Sequence, residues 1–183
     1  MQTKKLMGLA VALALSVTTV SAMAQVTVGD APMYANKDII DNAVNSKDHT
    51  TLVAAVKAAG LVDTLKGAGP FTVFAPTNTA FSALPAGTVD TLLKPENKGQ
   101  LTKVLTYHVV PGKLDSAALS KQISDGGGKA TLKTVSGGTL TASGQGKNIT
   151  VTDESGNTSR VTIADVNQSN GVIHVVDKVA LPK

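Results

Sequence analysis

Three histidines, His49, His108 and His174, are the residues whose types could serve catalysis or metal binding, since the sequence has no cysteine. A histidine can act as a general base, ligate a metal, contact a partner or hydrogen-bond within a core. A zinc site commonly needs three or four ligands, and no HxH or HExxH spacing joins these residues. No G-x-S-x-G elbow supplies a nucleophile either. We therefore expect no metal site, no catalytic residues, no cofactor and no enzymatic activity.

The second histidine lies in an apolar stretch, "TYHVVPGKL" at residues 106–114. If this stretch is a strand, Tyr107 and Val109 face one side while His108 and Val110 face the other. One interpretation is a neutral histidine that packs beside Val110 and hydrogen-bonds polar groups nearby. The other is a histidine that contacts a binding partner. The residues alone leave both interpretations open.

A second stretch, "GPFTVFAPTNTAFSAL", predicts a buried strand and then a helix. The strand is β-branched and aromatic and is bounded by Gly-Pro and Ala-Pro. Side chains alternate along a strand, so Phe71 and Phe74 should face opposite sides and both sides should be covered. Thr77 should cap the helix, and Phe81 should return from it to the core.

Thr77 and Asn78 follow that strand and allow two interpretations. They could be a polar pair presented to a partner, or they could cap the helix and hydrogen-bond the backbone. In either case, Thr77 or Asn78 is the kind of polar group that a buried His108 could use as a hydrogen-bond partner.

Residues 1–24 have the pattern of a secretory signal peptide. Lys4 and Lys5 precede an apolar run at residues 6–20, and Ala22 and Ala24 fit an A-x-A cleavage site. The run is shorter than the ~20 apolar residues that span a bilayer. We therefore expect a secreted or periplasmic protein whose mature chain does not span a membrane.

The charge of the exported part argues against a nucleic-acid partner. The chain has 17 basic and 13 acidic residues, so loss of Lys4 and Lys5 leaves 15 basic against the same 13 acidic. No run of Lys or Arg exceeds two residues, and the five aromatic residues offer few rings for stacking. Nucleic-acid binders typically show a basic stripe and stacking platforms.

The remaining chain predicts an α+β fold. Residues 25–37 have no clear period and are interpreted as an N-terminal leader to a domain at residues 38–183. Helical spacing dominates the first half of that domain, with Gly60 and Gly67 expected to end helices and Ser116 expected to cap the start of a later one. After residue 129 the sequence is rich in Thr and Val between Gly, Ser and Asn turns, which is typical of short antiparallel strands.

Three stretches together resemble the fasciclin-type (FAS1, beta-Ig-H3 type) domain family. "FTVFAPTNTAFSALP" at Phe71–Pro85 resembles its first signature, and "YHVVPGKL" resembles its Tyr-His motif. "NGVIHVVDKVALP" at Asn170–Pro182, which contains His174, resembles its second signature. The stretches occur in the family's order and spacing, and the chain is most similar to single-domain secreted bacterial members.

This resemblance implies a wedge of two packed β-sheets with several short helices along one side. It implies a secreted module for adhesion or matrix contact, with proteins or glycans at a cell surface as partners. It also makes Tyr107, His108, Val109 and Val110 candidate contact residues. The main alternative is a periplasmic or extracellular carrier that holds a small apolar or lipid-like ligand between helix and sheet.

Overall fold

The computed structural model describes residues 25–183, so the signal peptide predicted for residues 1–24 lies outside the described residues. In chain order the strands are β1 (Thr27–Val28), β2 (Ala31–Pro32), β3 (Phe71–Pro76), β4 (Val109–Pro111), β5 (Lys129–Lys133), β6 (Thr139–Gln145), β7 (Asn148–Thr152), β8 (Thr158–Gln168) and β9 (Gly171–Val176). The α-helices are α1 (Ile39–Ala43), α2 (Thr50–Ala59), α3 (Val62–Lys66), α4 (Asn78–Ser82), α5 (Thr88–Leu92), α6 (Lys98–Tyr107) and α7 (Ser116–Asp125). Short 3-10 turns at Lys47–His49 and Pro95–Asn97 precede α2 and α6. The predicted α+β class is confirmed.

Strand β3 pairs parallel to β9 on one edge and antiparallel to β4 on the other. Val73 and the partly buried Phe71 belong to a core cluster under the helices, whereas Phe74 belongs to a second core cluster on the opposite face. Thr72 is fully buried and hydrogen-bonds the segment after β4 through its hydroxyl. The structure thus confirms that both faces of this strand are covered.

The two predicted sheets are two halves of one continuous sheet with the strand order β4-β3-β9-β8-β7-β6-β5. The eleven-residue strand β8 joins the halves, and its pairing with β9 shifts register twice between Val161 and Val166. Asp165 adopts a left-handed φ of 60° in this irregular stretch. Bulges bend a strand and increase its twist, so the halves can face each other across the second core cluster.

Several short helices lie along one side of the sheet, as predicted, and one helix lies elsewhere. Helices α1 to α6 contribute side chains to the first cluster, but Leu119 and Ile123 of α7 lie in the second cluster, between the halves of the sheet. Helix α7 also begins differently from the prediction. Asp115 is its N-cap and accepts from the Ala118 amide, so Ser116 is the first helical residue. A carboxylate satisfies a free amide at a helix start as well as a hydroxyl does, so both residues fitted the pattern.

Other predicted helix ends are confirmed. Gly60 ends α2 with a left-handed φ of 71°, and Gly67 follows the last residue of α3. Thr77 caps α4, and its hydroxyl accepts from the Ala80 amide. Glycine at a helix end adopts the left-handed conformation without the steric cost of a side chain.

The predicted leader at residues 25–37 is part of the folded unit. It contains the hairpin β1–β2, and Val28, Ala31 and Met33 are buried in the first core cluster. The sequence of residues 25–37 shows no hydrophobic periodicity because its two strands are only two residues long. No helix among residues 25–183 is long and apolar enough to cross a membrane.

We expect Phe74→Ala to lower the free energy of unfolding by about 3–5 kcal/mol, because the buried ring would leave a cavity between the halves of the sheet. Urea denaturation followed by circular dichroism measures the change. Val135→Ala is the control, since Val135 is 46% exposed and should change stability by less than about 0.5 kcal/mol. Equal unfolding curves for Phe74→Ala and the wild type would contradict the assigned core.

Candidate functional site

The Tyr-His motif joins helix α6 to strand β4. Tyr107 is the last residue of α6, His108 is its C-cap, and Val109 begins β4. All four predicted contact residues lie in the interior: the exposed fractions are 0% for Tyr107, 3% for His108, 5% for Val109 and 4% for Val110. Direct contact with a partner would require these side chains to reach the surface.

The predicted alternation along this motif is wrong. Tyr107 and Val110 lie in the core cluster between the halves of the sheet, whereas His108 and Val109 line a cavity on the helical side. His108 has helical backbone angles, with φ −85° and ψ −3°, so strand alternation begins only after it. Strand spacing cannot be applied across the end of a helix.

His108 uses both ring nitrogens inside the protein. Its Nε2 accepts from the Ala180 amide at 2.9 Å, and its Nδ1 lies 2.8 Å from the Val104 carbonyl. Because an amide can only donate, Nε2 must be unprotonated and Nδ1 must carry the proton. The expected partners, Thr77 and Asn78, are not used. Burial lowers the pKa of His108, and the Val104 carbonyl opposes this effect only in part.

His174 on β9 has the opposite tautomer. Its Nε2 donates to the Leu114 carbonyl at 2.7 Å, and its Nδ1 faces the Asp165 amide at 3.4 Å. The ring stacks on Phe74 with 5.6 Å between centroids. Burial lowers the pKa of His174, while the Leu114 carbonyl raises it less. His174 thus ties the second signature to the segment that precedes α7.

The Tyr107 hydroxyl joins two turns of the strand region. It donates to the Thr139 carbonyl at 2.6 Å and accepts from the Glu154 amide at 3.0 Å. Burial raises the pKa of Tyr107, so the hydroxyl keeps the proton that it donates. The ring itself is fully buried, and only its hydroxyl meets polar backbone.

Asp153 belongs to this site, and the sequence analysis did not identify it. Its buried carboxylate accepts from the amides of Ser155, Asn157 and Leu181. Together with the bond from Ala180 to His108, this fixes the C-terminal segment against the motif. An Asp that accepts from amides two and four residues later is the usual signal of such a turn. Its third partner lies 28 residues away and has no local signal.

Thr77 and Asn78 act within the protein. Thr77 caps α4, as described above. Asn78 accepts from the Thr51 amide, and its side-chain amide donates to the Lys47 carbonyl and the Thr50 hydroxyl. Its hydrogen bonds tie the start of α4 to the start of α2.

His49 differs from the other two histidines. Its Nδ1 hydrogen-bonds the Ser46 hydroxyl at 2.9 Å, but its buried Nε2 has no hydrogen-bond partner among the described residues. Burial lowers the pKa of His49. The nearby Ala75 backbone raises this pKa by a smaller amount, but it forms no hydrogen bond with the ring. His49, Ser46 and His108 are the polar side chains lining an otherwise apolar cavity of about 40 Å³.

The three histidines thus have separate partners on separate elements. Within residues 25–183, no group of three or more His, Cys, Asp or Glu side chains could hold a metal ion. The buried, neutral imidazoles instead hydrogen-bond loops and strands. The arrangement can hold the fold rigid, and the ring nitrogens of His108 and His174 face the protein's own backbone.

The sequence model of the Fasciclin domain matches residues 47–182. Among curated proteins, the chain is 47% identical over 156 residues to protein sll1483 of Synechocystis sp., covering 85% of this chain and 79% of that protein. It is 39% identical over 145 residues to the immunogenic protein MPB70 of Mycobacterium bovis, covering 76% of this chain and 66% of that protein.

Among solved structures, the fold is similar to a FAS1 domain pair from the insect cell adhesion molecule Fasciclin I. The TM-score is 0.68 and the sequence identity is 17%, so this likeness concerns the fold alone. The match covers 78% of this chain and 50% of the insect chain.

We expect the free energy of unfolding to fall as the pH drops below about 6.5. Burial holds the pKa of His49, His108 and His174 below 6.5, so the unfolded chain binds protons that the folded chain does not. Each histidine can contribute a loss of up to about 2 kcal/mol between pH 7 and pH 5. Urea titrations across this range measure it.

The control for this pH dependence is His108→Gln, whose side-chain oxygen can still accept from the Ala180 amide. The variant lacks one titrating group, so its stability should fall less between pH 7 and pH 5 than that of the wild type. A wild-type stability that stays constant over this range would show that the buried imidazoles are not held neutral.

Proposed function

Because the chain belongs to the fasciclin domain family, we propose that it is a secreted or periplasmic, non-enzymatic adhesion module. Its partners are proteins or glycans at a cell surface or in the surrounding matrix. The description of the insect protein as a cell adhesion molecule supports this role. In this proposal residues 1–24 direct export and residues 38–183 form the family domain, with residues 25–37 packed against it.

The proposal rests on the hydrogen-bond partners of the motif's polar groups. Both ring nitrogens of His108 and the hydroxyl of Tyr107 are hydrogen-bonded to the protein's own backbone. Because both side chains are also buried, neither lies where a substrate from solvent would reach it. Recognition then falls to the outer surface, which this internal network holds in shape.

For Tyr107, His108, Val109 and Val110 we propose a supporting role in adhesion. Their burial separates them from solvent, and their bonds position the C-terminal segment and the turn at Asp153. A partner would then contact surface that these residues hold in place. Direct contact, which the family resemblance suggests, is the competing role.

The attachment of protein-coated beads to cells and extracellular material of the host tests the adhesion role. Beads coated with the wild type should attach more than beads coated with albumin. Tyr107→Phe removes the buried hydroxyl, which should lower the free energy of unfolding by about 1–3 kcal/mol because the Glu154 amide loses its acceptor. At a temperature where the variant remains folded, its beads should attach as well as the wild type.

Two outcomes of the bead assay would contradict these proposals separately. Wild-type beads that attach no better than albumin beads would remove the adhesion role. If the Tyr107→Phe beads fail to attach at a temperature where thermal unfolding shows that the variant is folded, the residue contacts the partner directly and the supporting role is wrong.

A second candidate function, the carrier, is favoured by the cavity beside His49. Apolar side chains line most of this cavity. The Nε2 of His49, which has no partner within residues 25–183, could hydrogen-bond the polar end of a neutral ligand. The cavity's volume of about 40 Å³ limits the ligand. An engineered apolar cavity that binds benzene has about 150 Å³. A lipid-like ligand would therefore require the helices to separate from the sheet.

Native mass spectrometry of protein purified from its own host distinguishes the two candidates. The adhesion module should give the mass of the mature chain alone. A carrier should give an added mass that disappears in His49→Leu, which keeps an apolar side chain but removes the ring nitrogens. Val135→Ala, an exposed change outside the cavity lining, is the matched control and should retain any added mass.

A further inference from the structure

The outward face of strands β5 to β8 carries a row of four threonines that crosses all four strands. Thr131 lies opposite Thr141, Thr141 opposite Thr152, and Thr152 opposite Thr158. Neighbouring strands lie about 4.8 Å apart, so the row extends over roughly 14 Å. The alternate residues on these strands face inward and are buried. We call this outward surface the hydroxyl face.

A second row runs beside the threonines and ends in a cation on each side. Lys129 lies opposite Ser143, Ser143 opposite Thr150, and Thr150 opposite Arg160. The third row pairs Lys133 with a threonine, and Lys147 is exposed in the turn between β6 and β7. Cationic side chains thus surround a centre of neutral hydroxyl groups.

The cations of the hydroxyl face are free to bind an external anion. The ion pairs among residues 25–183 involve other lysines, and none includes Lys129, Lys133 or Arg160. Two carboxylates lie at the rim. Glu154 accepts from the amide and hydroxyl of the threonine opposite Lys133, and Asp177 accepts from the Arg160 amide. Both are already engaged by neighbouring groups of the protein.

Strands β5 to β8 contain no aromatic residue. Proteins that bind single-stranded nucleic acid stack its bases on aromatic rings, and this face offers none. It offers hydroxyl groups for hydrogen bonds, together with ammonium and guanidinium groups that pair strongly with carboxylates. A linear polymer that carries both hydroxyl and carboxylate groups matches this combination.

We propose that the hydroxyl face is a docking surface for an acidic polysaccharide. The threonine and serine hydroxyls bond the sugar hydroxyls, while Lys129, Lys133 and Arg160 bind the carboxylates. This inference rests on the proposed adhesion function and names the partner class. The inward side of the same strands packs on α7, so the face lies on a packed core.

Binding to alginate, a linear polyuronate, tests the proposal by biolayer interferometry at low and physiological salt. The wild type should bind, and added salt should weaken the binding because the charges are exposed. The triple variant Lys129→Gln/Lys133→Gln/Arg160→Gln should bind at least about tenfold more weakly, since charge-assisted hydrogen bonds are lost. Neutral dextran should not bind.

Two further variants separate the hydroxyl face from net charge and from misfolding. Lys57→Gln/Lys98→Gln/Lys113→Gln removes the same charge from α2, α6 and the segment after β4, and it should change affinity less than about twofold. Thr141→Val/Thr152→Val keeps side-chain size and strand propensity but removes two hydroxyls, and it should weaken binding several-fold. Thermal unfolding of every variant verifies the fold.

Three outcomes would overturn the proposal: no binding of alginate at low salt, equal losses in both triple variants, or unchanged affinity in Thr141→Val/Thr152→Val. Duplex DNA that binds as tightly as alginate through the same residues would show a general polyanion surface instead. If beads attach to the host surface while alginate does not bind, the proposed adhesion role is kept and the proposed polysaccharide partner is rejected. If neither occurs, both proposals fail.

Discussion

The burial of strands β3 and β9 between two core clusters is the constraint on which the rest of the structure depends. Polar groups next to a strand that is covered on both faces are shielded from solvent. Such buried groups usually form hydrogen bonds within the protein. His108, His174 and Asp153 do so by bonding the backbone of distant segments. In the motifs that carry the family resemblance, buried side chains therefore hydrogen-bond loops to the interior of the protein.

Local sequence patterns predicted the helices and strands of this fold well, but they predicted the contacts among these elements poorly. The alternation of Phe71 and Phe74 and the cap at Thr77 depend on neighbours within a few residues, and the structure confirms them. The strand predicted through His108 was wrong, because a helix end at that residue shifts the alternation. Its partner Ala180 lies 72 residues away, and no periodicity indicates such a bond.

The two halves of the sheet differ in how far their side chains are buried. Strands β3, β4 and β9 are almost entirely buried, and their polar side chains serve the interior. Strands β5 to β7 and the first part of β8 alternate, so buried side chains pack inward while every second side chain is exposed or half-buried on the outer face. One face can therefore vary in chemistry without disturbing the core.

The parallel pairing of β3 with β9 has a consequence for biosynthesis. Phe71 lies opposite Gly171, so the central strand receives its main partner from nearly the end of the chain. Contacts between residues so distant in sequence slow folding, because a long loop must close before they form. A polypeptide that emerges from its N-terminus cannot complete this sheet until synthesis is almost finished. The core clusters on both sides of the central strands therefore form only when nearly the whole polypeptide is available.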